Sequence, residues 1–499
     1  MSENVRRGRQ LPKTILLLTI LILSTYSVIG YYNHHPFRFA AAQRGQGEED
    51  EQHKGENDFL PTVNDPNLKV EQVYTGLRFP TKMAFLGPND ILVLEKDNGT
   101  VQRIVDGKML PEPVLHVNVA NKFERGMLGI AVATKHNNQL QQDNDESSDS
   151  STNGGPTYVF LYYTESEVEG SDVCYKELTT CDPAGEPLGN RLYRYELVDN
   201  KLVNPLLLLN LPSDHNQHNG GPVVIGPDQN VYVVIGDISH NTKAQNYESG
   251  QDPDGTSGIL RVTQDGQIVA NAPLGPDDTL PLSLYYAYGM RNSFGMDFDP
   301  LTGNLWAAED GLYNIDELNL VKPGFNRGWD DIDGLVSRCN PHICRHLSNS
   351  SLSSSSSSSY LDGLVDFGGK GVYRDPEFVW EYNPTPTAVK FLNSDKLGTQ
   401  YENHLFVGDF NYGNLYDFKL NEDRTGLLLD GPLSDKVANA PNETKGVIFG
   451  QGFGGATALY IKKHKDFGGI TDIELGPDGY LYILTFRQTQ GTIYRIVPK

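Results

Sequence analysis

The sequence predicts an all-β fold, a six-bladed β-propeller preceded by an N-terminal transmembrane helix. Three observations predict it: one hairpin pattern recurs along most of the chain, no long amphipathic helix interrupts it, and a single charge-free apolar run stands near the N-terminus. Repetition of four-stranded units on this scale is the signature of a propeller. About 435 residues shared among six blades leave roughly 70 for each, more than a compact blade needs. A β-sandwich or a pair of smaller β domains is the competing architecture, and the shared hairpin pattern argues against it.

Residues 1–14 form a basic tail, MSENVRRGRQLPKT, and run into ILLLTILILSTYSVIGYY at 15–32. That apolar run is about one bilayer's worth of helix. Its Arg/Lys flank lies on the N-terminal side, so by the positive-inside rule the tail stays in the cytoplasm and the remainder is exported. A cleaved signal sequence is the alternative to an uncleaved anchor, with small residues at 40–42 for cleavage. The expected location is therefore the cell membrane, single-pass with the propeller outside the cytoplasm, or else secreted. Residues 33–64 read as an acidic, flexible linker, most clearly in QRGQGEEDEQHKGENDFL at 43–60.

The body is expected over 65–499. Its unit is a short apolar strand, a turn of Gly, Pro, Asp and Asn, and a second apolar or aromatic strand, which is hairpin chemistry. MAFLGPNDILVLE (83–95), VVIGPDQNVYVVIGD (223–237), MDFDPLTGNLWAAED (296–310) and IELGPDGYLYILTF (473–486) are the clear copies. VFLYYTE (159–165) and HLFVGDFNYGNLYDFKL (404–420) are weaker ones. Two low-complexity stretches, 136–155 and the serine tract 353–359, read as surface insertions.

A net charge of −23 and a pI near 4.9 exclude nucleic acid as a partner, because phosphate binding needs a basic face. Cys174 and Cys181, and Cys339 and Cys344, are paired most simply as two local bridges in an oxidising compartment. A structural zinc site is the weaker alternative, since neither pair has C-x-x-C spacing.

Three segments carry candidate chemistry. His218 lies just ahead of the Gly220-Gly221 pair in HNGGPVVIGPDQNVYVVIGD, at a loop–strand junction, and has the pKa range for proton abstraction near neutrality. A turn histidine bonded to a carbonyl is the competing role, and His215 competes for the position. Arg291-Asn292 in YGMRNSFG offers a fixed guanidinium fork beside an amide, or a surface salt bridge. The cluster from Glu309 to Glu317 offers carboxylates and loop carbonyls to a hard cation such as calcium, or is a solvated acidic loop. No Gly-x-Gly-x-x-Gly fingerprint follows a strand and opens a helix, so a nicotinamide cofactor is not indicated.

Taken together, GLRFPTKMAFL, RGMLGIAV, HNGGPVVIGPDQNVYVVIGD, YGMRNSFG, DELNLVKPGFNRGW, GPDGYLYILTF and GTIYRIV resemble the glucose/sorbosone dehydrogenase family, the soluble pyrroloquinoline-quinone-dependent aldose dehydrogenases. The resemblance implies a six-bladed propeller with its site at the top of the central channel. It implies oxidation of an aldose at its C1 hydroxyl to a lactone, with hydride passing to pyrroloquinoline quinone (PQQ), calcium as second cofactor, and a further electron acceptor. Position by position it implies His218 as general base, Arg291 polarising the quinone carbonyl, and Asn292, Glu124 and Asp310 as cofactor contacts. The carbonyls of Gly311 and Leu312 are implied to hold calcium, with Glu317 as an acidic residue at the same ion. The sequence departs from the family where Asn411 and Tyr412 stand in place of expected cations, with Lys390 the compensating contact, and where Arg327 replaces a frequent tyrosine. A non-catalytic propeller that binds a glycan or a protein, and a calcium-dependent lactonase, are the alternative functions.

Overall fold

The computed structural model describes residues 60–134, 155–170, 172, 187–276, 279–338, 344, 361, 363–454, 468–487 and 490–499. The tail, the apolar run 15–32, most of the linker, residues 136–154 of the first low-complexity stretch, the serine tract, and Cys174, Cys181 and Cys339 lie outside them. Among the described residues no helix is long and apolar enough to cross a membrane.

The body is an all-β propeller. Its strands fall into six sheets, and each sequence hairpin named above becomes strands of one of them. The first holds Pro80–Gly87, Asp90–Glu95 and Thr100–Val105; the second Met127–Thr134, Thr157–Glu165, Gly189–Val198 and Lys201–Leu211. The third is built on Val223–Ile225, Val231–Ile235, Gly258–Val262 and Tyr285–Tyr288; the fourth on Ser293–Phe298, Leu305–Glu309, Asp316–Val321 and Phe378–Trp380. The fifth holds Pro386–Phe391, Leu405–Asp409, Leu415–Phe418 and Ile448–Gln451; the sixth Ile470–Leu475, Leu481–Arg487, Gln490–Pro498 and Leu68–Leu77. The opening strands of neighbouring sheets pack side by side, except that Ser293–Phe298 meets Val231–Ile235 of the third sheet, and Ile470–Leu475 meets Pro80–Gly87, closing the ring.

The turns explain why the copies look alike. In GPDQN, Asp228 accepts the backbone N–H of Asn230 (3.1 Å) and the hydroxyl of Tyr232 (2.9 Å). In GPDGY, Asp478 does the same for Tyr480 (3.2 Å) and Tyr482 (2.8 Å). The aspartate satisfies the turn backbone and anchors the aromatic ring of the second strand. Between sheets the core is apolar. Trp306, Phe378, Trp380, Tyr416 and Phe418 form one buried cluster, with Phe378 edge-on to Trp380 at 4.8 Å between ring centres. Each such side chain contributes about 1.5–3 kcal/mol on burial.

Two details differ from expectation. Thr62 and Val63 pair with Gln451 and Gly450, so the sheet structure begins inside the expected linker, ahead of residue 65. The N-terminal strand Leu68–Leu77 belongs to the last sheet, where it pairs antiparallel with Gln490–Pro498. A chain starting at Arg78 leaves that strand without its partner. It is expected to lose its cooperative thermal transition in circular dichroism, and a melt like that of the longer chain overturns the closure.

Asp409 ends the strand Leu405–Asp409, buried, and accepts the Tyr412 N–H (2.7 Å) and the Tyr416 hydroxyl (2.7 Å). Burial pushes its carboxyl up to about 7 from 3.8 in spite of these donors. The folded state therefore holds this proton more tightly than the unfolded chain, and stability falls as pH rises from the ordinary carboxylate range to about 7. Urea unfolding of Asp409→Asn at about pH 5 and about pH 8 is expected to show a smaller loss than the parent.

Candidate active site

The site forms where loops enter the inner strands. The segment 120–126 leads into Met127–Thr134, 213–222 into Val223–Ile225, and 289–292 into Ser293–Phe298. They meet around Gly236, whose missing side chain matters: a Cβ there would collide with the carbonyl oxygens of both His218 and Arg291. Only glycine lets these two backbones approach from opposite sides. Asp237, the next residue, donates its N–H to the Arg291 carbonyl (2.9 Å) and presents its carboxylate to the His218 ring.

His218 Nδ1 lies 2.6 Å from Asp237 Oδ1. An ionised carboxylate only accepts, so Nδ1 carries the hydrogen and Nε2 keeps its lone pair. The backbone is equally committed: His218 has φ +61° and donates its N–H to Glu124 Oε2 (2.6 Å). The same Glu124 oxygen accepts from Asn292 Nδ2 (2.9 Å), and Asn292 Oδ1 accepts from the Gly220 N–H (3.3 Å). Glu124 thus ties the His218 backbone to the Arg291-Asn292 pair. His215 Nδ1 instead accepts the backbone N–H of Gln217 (3.3 Å), two residues along.

Arg291 Nη1 donates to Asp310 Oδ2 (2.9 Å) and to its carbonyl (2.7 Å). Burial opposes the Arg291 charge, but Asp310, Asp237 and Asp333 more than offset it and hold the guanidinium above its ordinary value. Burial likewise opposes the Asp237 carboxylate, and the His218 ring and Arg291 outweigh it, keeping the carboxyl below its usual range. Arg291 Nε and Asp310 Oδ1 are buried without a hydrogen-bond partner in the protein. Unsatisfied buried groups beside the His218 imidazole suit a polar ligand such as a quinone.

Sequence reasoning missed Asp237 and Trp329. Asp237 lay in plain view as the final residue of VYVVIGD, and only the fold shows that it faces His218. Trp329 Nε1 donates to Asp237 Oδ2 (2.7 Å).

Two expected site residues are elsewhere occupied. Glu317 was expected at calcium, but its oxygens accept from Arg327 Nε (2.9 Å), Asn319 Nδ2 (3.0 Å) and the Gly334 N–H (2.6 Å). Arg327, fully buried, also pairs with Asp333 and donates to the Ile332 carbonyl (3.1 Å). A guanidinium fills the role assigned to a metal, and Glu317 does not fit as a calcium ligand. Among the described residues no group of three His, Cys, Asp or Glu could hold a metal ion. Gly311 and Leu312 do lie beside Asp310, with their N–H groups donating to Asp316 (3.1 Å) and Asp333 (2.8 Å).

Lys390 was expected at the cofactor, but it sits near the far end of Pro386–Phe391, on the order of 16 Å along the strand from Thr385 at 3.3 Å per residue. There it pairs with Glu474 (2.8 Å) and Asp297 (3.6 Å). Its charge is committed to those carboxylates. At the site end the wall is neutral: Asn411 Nδ2 donates to Asn383 Oδ1 (3.2 Å) and Thr385 Oγ1 (2.9 Å), and the Tyr412 hydroxyl to the Tyr382 carbonyl (3.4 Å).

Arg327→Met strands Glu317 and Asp333 without their cation. It is expected to cost about 3–5 kcal/mol in urea unfolding, and adding Glu317→Gln is expected to recover part of that loss. A single variant as stable as the parent overturns the role given to this ion pair.

Comparisons with known proteins show the family and the fold of the chain. The chain is 24% identical over 283 residues to an aldose sugar dehydrogenase of Escherichia coli (strain K12), covering 56% of this chain and 60% of that one. It is 35% identical over 159 residues to quinoprotein glucose dehydrogenase B of Acinetobacter calcoaceticus, covering 29% of this chain and 32% of that one. In fold it is similar to the PQQ-bound form of aldose sugar dehydrogenase from Streptomyces coelicolor, with a TM-score of 0.53 and 20% identity, covering 88% of this chain and all 100% of the other. The Glucose / Sorbosone dehydrogenase family matches residues 77–495, and the chain belongs to that family.

Proposed function

We propose that the protein is an extracytoplasmic oxidoreductase that oxidises the C1 hydroxyl of an aldose to a lactone, with the six sheets as six blades around its site. The observation that carries this reading is the His218–Asp237 pair, held through Glu124 against Arg291 and Asn292. His218 Nε2 takes the hydroxyl proton, and Asp237 stabilises the imidazolium that results. Arg291 places a fixed positive charge where negative charge develops on a reduced acceptor. Asn292, pinned from both sides, supplies amide groups that orient a planar ligand. Bound there, PQQ would supply the hydride acceptor, held by Arg291, Asn292, Glu124 and Asp310, with calcium at the Gly311 and Leu312 carbonyls. The apolar run 15–32 supports the exported location, either anchored or secreted.

The neutral wall at Asn411 and Tyr412 supports weaker quinone affinity, because each charge-assisted bond it lacks is worth about 1.5–3 kcal/mol. It also favours a second reading, a propeller that binds a glycan or a protein partner without turnover. Calorimetric titration with PQQ, with and without calcium, separates the two.

Protein loaded with PQQ and calcium is expected to reduce a dye acceptor with aldoses. His218→Ala is expected to lower kcat about 10²–10⁴-fold while retaining quinone binding. No turnover over a broad aldose panel, with the quinone shown to be bound, overturns the dehydrogenase reading.

A further inference from the structure

Trp329 is placed where the parts of the site meet. It is 6% exposed, and its ring lies 5.5 Å from the Arg291 guanidinium carbon. Its indole N–H takes Asp237 Oδ2 (2.7 Å), the oxygen that His218 leaves. The backbone around it is fixed on both sides: the Trp329 N–H donates to the Gly289 carbonyl (3.1 Å), its carbonyl accepts from Asn246 Nδ2 (2.7 Å), and the Asp330 N–H donates to the Gln245 carbonyl (2.8 Å). Asn246 is in turn locked to Asn326 by paired amide bonds of 3.0 and 2.8 Å. So rigid a mounting is more than filling a core position requires.

We propose that Trp329 is a positioning residue of this site: its N–H fixes the rotation of the Asp237 carboxylate, which keeps His218 in the tautomer with Nε2 free, and its ring bears the Arg291 guanidinium. The catalytic consequence rests on the dehydrogenase reading, whereas the effect on His218 does not. The groups facing Asp237 are His218, Arg291, Trp329 and the Ser239 N–H. Around these stand Glu124 on the His218 N–H, Asp310 and Asp333 opposite Arg291, and His240, which donates its backbone N–H to the Asp237 carbonyl and is paired with Asp254 and Asp214. Removing one donor leaves the Asp237 charge less compensated, so the imidazolium of His218 gains stability.

Trp329→Phe keeps a ring and deletes the N–H. With histidine labelled at ¹³Cε1 in the full-length protein, the His218 titration is expected to move up by about 0.5–1 unit. The same substitution in an Asp237→Asn background is expected to leave it unmoved, since the acceptor charge is gone. In turnover, kcat is expected to fall about tenfold with KM little changed. A His218 titration unaltered by Trp329→Phe overturns the proposal, because a packing role alone would give that result.

Should the variant not fold, the unmodified protein answers the same question. It has three tryptophans, and the indole nitrogens of Trp306 and Trp380 are buried without a hydrogen-bond partner. One of three ¹⁵N-indole signals is therefore expected to follow the His218 titration. Three flat signals overturn the proposal. Failure of the dehydrogenase reading would appear separately, as absence of sugar oxidation by the parent protein whatever its His218 titration shows.

Discussion

The site depends on a steric constraint at a residue with no side chain. At Gly236 the carbonyls of His218 and Arg291 converge from two neighbouring inner-strand loops, and any Cβ would force them apart. That approach lets the next residue, Asp237, bond the Arg291 backbone with its N–H while its carboxylate reaches the His218 ring. The imidazole and the guanidinium are held in register by main chain, which moves less than side chains do. Glu124, from a third loop, then joins both through a single oxygen. The propeller brings together groups that lie 94 and 168 residues apart in the chain.

Around this centre, buried carboxylates share a few buried cations. Arg327 pairs with both Glu317 and Asp333, Arg291 pairs with Asp310, and Lys390 pairs with Glu474 and Asp297 on a different stretch of inner strand. Isolated buried carboxylates would be protonated or expelled, and pairing offsets part of that cost: burial pushes Glu317 and Glu474 up, and Arg327 and Lys390 pull them back only in part. The loop from Gly311 to Glu317 is accordingly shaped by the protein's own cation. A chain with net charge −23 has spent several of its scarce positive groups inside.

The fold was legible because its signals are local. A Gly-Pro-Asp turn between apolar runs specifies a hairpin, and the hairpins recur often enough to specify a propeller. Glu124, His218, Arg291 and Asn292, which the structure brings together, were singled out for another reason: the sequence around each resembles one family. Glu317 and Lys390 were misread because sequence does not show what a charged side chain is already paired with. Arg327 is ten residues from Glu317, and Glu474 is 84 residues from Lys390, so neither pairing could be read from spacing. Asp237 was passed over as the end of a strand, since its importance comes wholly from a neighbour 19 residues earlier.

The strand Leu68–Leu77 is among the first described segments to be synthesised, and its partner Gln490–Pro498 is the last. The ring therefore cannot close until translation has passed Gln490–Pro498. Until then the sheets at the two ends of the open ring wait with one flank exposed. Non-local pairing of this kind slows folding and prolongs exposure of apolar edges.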